Sequence, residues 1–212
     1  MVTAGHRVAC AWQNRGMSTV QTRPSGGKVA FPTAVLVVGG LVAFMWVLEA
    51  YDQATRHSLD PYGIRPQTDE GLVSIFLAPW LHGGWQHLIG NSLPFLLLGT
   101  LVLLDGWRKW AWTTLTIVVV SGAAVWLFSP PSSITLGASG VVFGWLTYLL
   151  VRGFYSGSFA QVGIGIVVFL LYGGILWGVL PGAVGISWQG HLGGAIGGVL
   201  AARWLHRTPS RP

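Results

Sequence analysis

The chain has 212 residues, of which 52% are hydrophobic and only 8% charged, with a mean hydropathy of +0.59. Apolar stretches recur along nearly all of it, which excludes an ordinary soluble domain and predicts a polytopic membrane protein. A single cysteine, Cys10, excludes an internal disulfide and any multi-cysteine metal site, and the net charge of +6 reads as membrane topology rather than as a nucleic-acid footprint.

Residues 1–30 hold Arg7, Arg15, Arg23 and Lys28 among Pro24, Ser25, Gly26 and Gly27, with no apolar run. They are expected to form a basic, flexible cytoplasmic tail rather than a signal peptide, and Met17 is an alternative start. The first span is predicted over about Phe31 to Ala50, followed by a polar stretch from Tyr51 to Gln67 and an amphipathic one from Thr68 to Trp85. Further spans are predicted at about Gln86–Leu104, Trp110–Phe128, Ser139–Val151, Ala160–Leu180 and Ile186–Leu205. All but the fourth approach the roughly 20 apolar residues that a hydrocarbon core requires. Residues 207–212 form a second short tail.

Six spans place both ends on one side. Arg7, Arg15, Arg23, Lys28, Arg108, Lys109, Arg152, Arg203, Arg207 and Arg211 then fall on the side of the tails, against Arg56 and Arg65 on the other. By the positive-inside rule both termini are cytoplasmic. Several of the 12 tryptophans (Trp80, Trp85, Trp107, Trp110, Trp188 and Trp204) stand near span ends, as an interfacial belt beside membrane lipid requires.

Depth follows from this topology. Ser139 precedes Arg152 by 13 residues and His191 precedes Arg203 by 12, placing them about 20 and 18 Å from the cytoplasmic side at 1.5 Å per residue. Asn91, 14 residues before Asp105, reaches about 21 Å. Three helices thus bring polar groups to one layer, where such groups line a water-filled cavity. Gly140 and Gly144 on the fourth span, and Gly194 and Gly198 on the sixth, make small-residue faces on which two helices approach closely. Pro130, Pro131 and Gly137 keep residues 129–138 non-helical. Phe143 lies one turn after Ser139 on the same face, within reach of an imidazole. His87 and Asn91, also i and i+4, can aim donors at one point, and His82 belongs to the loop before them.

In the stretch H-G-G-W-Q-H-L-I-G-N, His82, His87 and Asn91 match the H-x-x-x-x-H-x-x-x-N of the rhomboid intramembrane serine proteases. Gly137, Ala138, Ser139 and Gly140 match that family's G-x-S-G, and His191 with Gly194 and Gly198 matches its histidine followed by G-x-x-x-G. Over residues 31–206 the chain resembles a bacterial-type, six-helix rhomboid. It departs in two places. Ile64-Arg65 stands where many members carry Trp-Arg, and Gly190 stands where alanine usually precedes the last histidine.

The resemblance implies an all-α bundle of six transmembrane helices with a long first outer loop and a short fourth helix starting at a buried serine. It implies Ser139 as nucleophile and His191 as its base, a dyad, since no acid follows His191 at helical spacing. It implies an oxyanion hole of Asn91, His87 and the Ser139 N–H, supported by His82, beneath a cap at Pro181–Ser187. No cofactor or metal is called for. Substrates would be single-span membrane proteins entering laterally, cut near the outer surface in a bacterial plasma membrane. The alternative is an inactive rhomboid-like protein that binds transmembrane clients. A transporter is disfavoured by the absence of a mid-bilayer ionisable pair and of an inverted repeat. His6, His57 and His206 are expected in tails or loops without chemistry, and Glu49 at the membrane interface, with a weak structural role in holding the long loop as the alternative.

Overall fold

The computed structural model describes residues 27–182 and 185–206, so most of the expected N-terminal tail, the whole 207–212 tail and the centre of the expected cap lie outside the described residues. Seven α-helices follow one another: α1 (Phe31–Ala54), α2 (Asp69–Leu77), α3 (Trp85–Leu103), α4 (Trp107–Phe128), α5 (Ser139–Ser156), α6 (Phe159–Tyr172, continued as 3-10 helix to Val179) and α7 (Trp188–Leu205). The six expected spans correspond to α1 and α3 to α7, and α2 lies inside the long loop between the first two. No sheet forms among the described residues.

Four segments, Phe31–Ala54, Trp85–Leu103, Trp107–Phe128 and Phe159–Val179, are long and apolar enough to cross a membrane, at mean hydropathies between 1.3 and 2.2. The helices carrying Ser139 and His191 fall outside that group, for a physical reason. They sit at the centre of the bundle, α5 against α3, α4, α6 and α7, and α7 chiefly against α4 and α5. Trp145, Leu146, Tyr148 and Leu149 of α5 are fully enclosed. Helices shielded by other helices need not be uniformly apolar.

The central contact is made by glycine. A Cβ on Gly194 would collide with the carbonyl of Gly140, and one on Gly198 with the carbonyl of Gly144, so the two predicted small-residue faces meet each other directly. Side-chain bonds complete the seam. Thr147 Oγ1 donates to the Ala195 carbonyl at 2.8 Å, and Ser121 Oγ of α4 donates to the Gly190 carbonyl at 2.7 Å.

Several boundaries differ from expectation. The fourth span was expected to stop at Val151 because Arg152 follows, yet α5 runs on to Ser156. Arg152 is only 2% exposed because it pairs with Asp105 at the end of α3. Tyr148 OH joins this cluster, 3.4 Å from Asp105 Oδ2 and 2.9 Å from His206 Nε2. His206 is therefore a buried structural residue rather than a tail residue. Glu49, at the end of the first span, is 2% exposed and enclosed by protein. His57 does lie in the long loop after α1, where its Nδ1 is 3.1 Å from Asp52 Oδ2 and 3.4 Å from Asp60 Oδ2.

The long loop is fastened to the segment that precedes α5. Thr68 caps α2 by accepting from the Gly71 N–H, and Asp69 and Glu70 occupy its first turn, complementing the helix dipole. Ile64 and Thr135 exchange backbone bonds of 2.7 and 3.0 Å. Trp126 Nε1 of α4 donates to the Thr68 carbonyl at 2.8 Å. Ile64, which stands where many members carry the tryptophan of a Trp-Arg pair, is 4% exposed and packs with Ile75, Ala78 and Val125. An apolar residue there anchors the loop by burial.

Candidate active site

Residues 129–138 are non-helical and enter the bundle until α5 begins at Ser139. Gly137 adopts φ +126°, a conformation L side chains rarely take, and a Cβ there would also strike the His87 ring. Its N–H donates to the Ala78 carbonyl at 2.9 Å. The next N–H, of Ala138, points at His82 Nε2 at 3.5 Å. The chain thus turns sharply into a helix whose first residue is the serine; the Val141 and Val142 N–H groups bond the Ala138 carbonyl, and those of Ser139 and Gly140 have no acceptor within the helix.

From α7, His191 meets that serine. Ser139 Oγ and His191 Nε2 are 2.8 Å apart, and His191 is 8% exposed. On the other side of the ring, Nδ1 lies 2.9 Å from the Gly178 carbonyl. A carbonyl only accepts, so Nδ1 carries the proton and donates; Nε2 then presents its lone pair to the Ser139 hydroxyl. Phe143 stacks on the imidazole with centroids 4.1 Å apart and planes 12° from parallel. The ring is thereby fixed in plane by two hydrogen bonds and in tilt by an aromatic face.

From α3, His87 and Asn91 line the same cavity as Ser139 and His191, a volume of about 1060 Å³. Asn91 Nδ2 donates to the His87 carbonyl at 2.9 Å, which leaves its second amide proton free. His82 stands edge-on to His87 with centroids 5.1 Å apart, away from that cavity. Gly140 lines the cavity, and Gly144, Gly194 and Gly198 serve the helix seam below it.

The residues singled out from sequence therefore come together, with Ser139 and His191 in direct contact. Two participants were not anticipated. Gly178 supplies the acceptor for His191 Nδ1, and its lack of a side chain matters because a Cβ would stand 2.9 Å from Phe143 and 3.1 Å from that nitrogen. Ser121 holds the carbonyl of Gly190, the residue before His191. A main-chain acceptor leaves no residue-type signal, whereas a serine in the apolar second half of α4 is a weak one.

The rhomboid domain family model matches residues 69–208, more than half of the chain. An uncharacterised protein of Mycobacterium tuberculosis is 39% identical over 94% of this chain and 90% of its own length. An uncharacterised Mycobacterium leprae protein is 43% identical over 82% of this chain and 74% of its own length. A protein of Acanthamoeba polyphaga mimivirus, named as a rhomboid, is 28% identical over 62% of this chain and 74% of its own length. With the matched region running from α2 through α7 and so containing both the serine-led helix and the histidine-led one, the chain belongs to the rhomboid family of membrane proteins.

Proposed function

We propose that the protein is an intramembrane serine endopeptidase that hydrolyses peptide bonds in or near the transmembrane segments of single-span membrane proteins. The observation that carries this reading is the 2.8 Å contact between Ser139 Oγ and His191 Nε2, with the opposite ring nitrogen held by the Gly178 carbonyl. That arrangement makes the neutral imidazole a base toward the hydroxyl. Ser139 Oγ attacks the scissile carbonyl as its proton passes to Nε2; the imidazolium then protonates the leaving amine, and water, activated by the same nitrogen, releases the acyl group.

Charge that develops on the carbonyl oxygen is taken up by donors around the cavity: the Ser139 N–H, the free amide proton of Asn91 and the His87 ring. Each such donor is worth about 100- to 1000-fold in rate. The cavity volume of about 1060 Å³ has room for a peptide segment and water, and its wall includes Ile186 of the cap and Trp188 just after it. Residues 31–206 form the protease domain, flanked by cytoplasmic tails at 1–30 and 207–212 in a bacterial plasma membrane.

The test is cleavage of a labelled single-span substrate in liposomes by the wild type, Ser139→Ala and His191→Ala, each with verified folding. Cutting by the wild type alone is expected. Equal cutting by Ser139→Ala overturns the assignment, and failure of the wild type on varied substrates, with intact binding, transfers support to the client-binding alternative.

A further inference from the structure

Among the described residues eight buried side-chain polar atoms have no partner, and two of them, on His82 and Glu49, are complementary and line one cavity. His82 is 3% exposed and its Nε2 receives the Ala138 N–H. Because a backbone N–H only donates, Nε2 holds a lone pair and the neutral ring carries its proton on Nδ1. That Nδ1 is buried and unpaired; the Trp80 carbonyl lies near the ring without hydrogen-bonding geometry. On α1, Glu49 is 2% exposed, and its Oε1 accepts from Gln53 Nε2 at 2.8 Å. Its Oε2 is buried and unpaired as well.

Both side chains line one small cavity between the end of α1 and the turn before α3. Among its other side chains only Asp52 is an acceptor, and each of its oxygens is already engaged. Leu48, Leu59 and Leu81 are apolar, and the Asp52 carboxylate already receives the Leu59 N–H at 2.6 Å and His57 Nδ1 at 3.1 Å. Leaving a buried donor or acceptor unpaired is costly, and one hydrogen bond removes both penalties.

We propose that Glu49 is a positioning residue for the active site, its Oε2 accepting the Nδ1 proton of His82 across this cavity. The bond locks His82 in the tautomer whose Nε2 receives Ala138, and so fixes the backbone that delivers Ser139 and its N–H. A line of contacts, Gln53 to Glu49 to His82 to Ala138, then ties the first helix to the start of α5. The kinetic consequence rests on the protease reading, but the contact itself does not.

The experiment uses the full chain in detergent micelles. The variants are Glu49→Leu, Glu49→Gln, His82→Leu and the double leucine variant, each measured for thermal midpoint and for labelling of Ser139 by a fluorophosphonate. Glu49→Leu is expected to slow labelling about 10-fold or more, and cleavage kcat with it, at unchanged KM. Glu49→Gln, which keeps an acceptor oxygen, recovers most of the rate; in the His82→Leu background Glu49→Leu causes no further loss. Wild-type labelling by Glu49→Leu, or equal slowing in both backgrounds, overturns the proposal. If the wild type does not label at all, the protease reading fails, and the thermal midpoints still decide the contact: non-additive shifts support it and additive shifts overturn it. Should Glu49→Leu not fold, the His82 Nδ1–H proton resonance is compared in wild type and Glu49→Gln. An upfield move supports the bond, and an unchanged resonance overturns it.

Discussion

Gly194→Ala adds one methyl group where α7 crosses α5, and its effect can be worked from the packing. The new Cβ would overlap the carbonyl oxygen of Gly140, a main-chain atom that cannot rotate away, so the helices must separate. Overpacking of this kind costs about 1–3 kcal/mol, against which better helix propensity returns roughly 0.5–1 kcal/mol. For a chain of this size the net loss lowers the thermal midpoint by about 2–8 °C. The larger effect is on the site: Gly140 follows Ser139 and Gly194 lies one turn below His191, so widening the seam stretches the 2.8 Å contact between them. A displacement of about 1 Å in a reacting pair costs on the order of 100-fold in rate. The control is Gly163→Ala on α6, where a Cβ meets nothing within 4 Å. Thermal unfolding in detergent and fluorophosphonate labelling of Ser139 are measured for both. If Gly194→Ala matches Gly163→Ala in midpoint and in labelling rate, the argument from helix approach is wrong.

Phe143→Leu keeps the apolar volume but removes the face stacked on His191, and it is expected to reduce kcat about 10-fold with the fold intact; an unchanged kcat would refute a role in holding the ring. Asp105→Ala leaves Arg152 buried without a counter-charge and is expected to destabilise by about 3 kcal/mol or more, whereas the double variant Asp105→Leu, Arg152→Leu recovers much of the loss in thermal unfolding. In the outer loop, burial first and the Asp52 charge second push the Asp60 carboxyl above its usual range, with His57 opposing. The folded state therefore favours protonated Asp60. Its stabilising contribution is present below the unfolded carboxylate pKa and lost as pH rises through the folded one. Asp60→Asn should consequently flatten this part of the stability profile, and a midpoint-versus-pH curve parallel to the wild type would contradict it.

Sequence reasoning located the site because its cues were chemical and local: a serine between glycines, a histidine heading a glycine-rich helix, and a His–Asn pair one turn apart. Residue counting put Asn91, Ser139 and His191 at one level, and their meeting in one cavity has a cause the sequence did not contain. Asp105 and Arg152, taken separately as markers of the cytoplasmic level, are bonded to each other, which gives α3 and α5 one baseline. Counting upward from a shared baseline must bring Asn91 and Ser139 to a shared height, whatever the tilt of the bundle. The same pairing hid the true length of α5, since a lone arginine reads as a helix end until its partner 47 residues away is known. What stayed illegible were partners without a residue-type signature. The Gly178 carbonyl is set by backbone path alone, and the burial of Glu49 depends on how the end of α1 packs beside the turn at His82. Hydrophobic periodicity reports which faces meet lipid or core, but not which polar atoms remain unpaired once the faces have met. Those atoms are found only by following each donor and acceptor in the folded chain, and here the unpaired ones lead from Glu49 on α1 to His82, whose ring meets the Ala138 N–H next to Ser139.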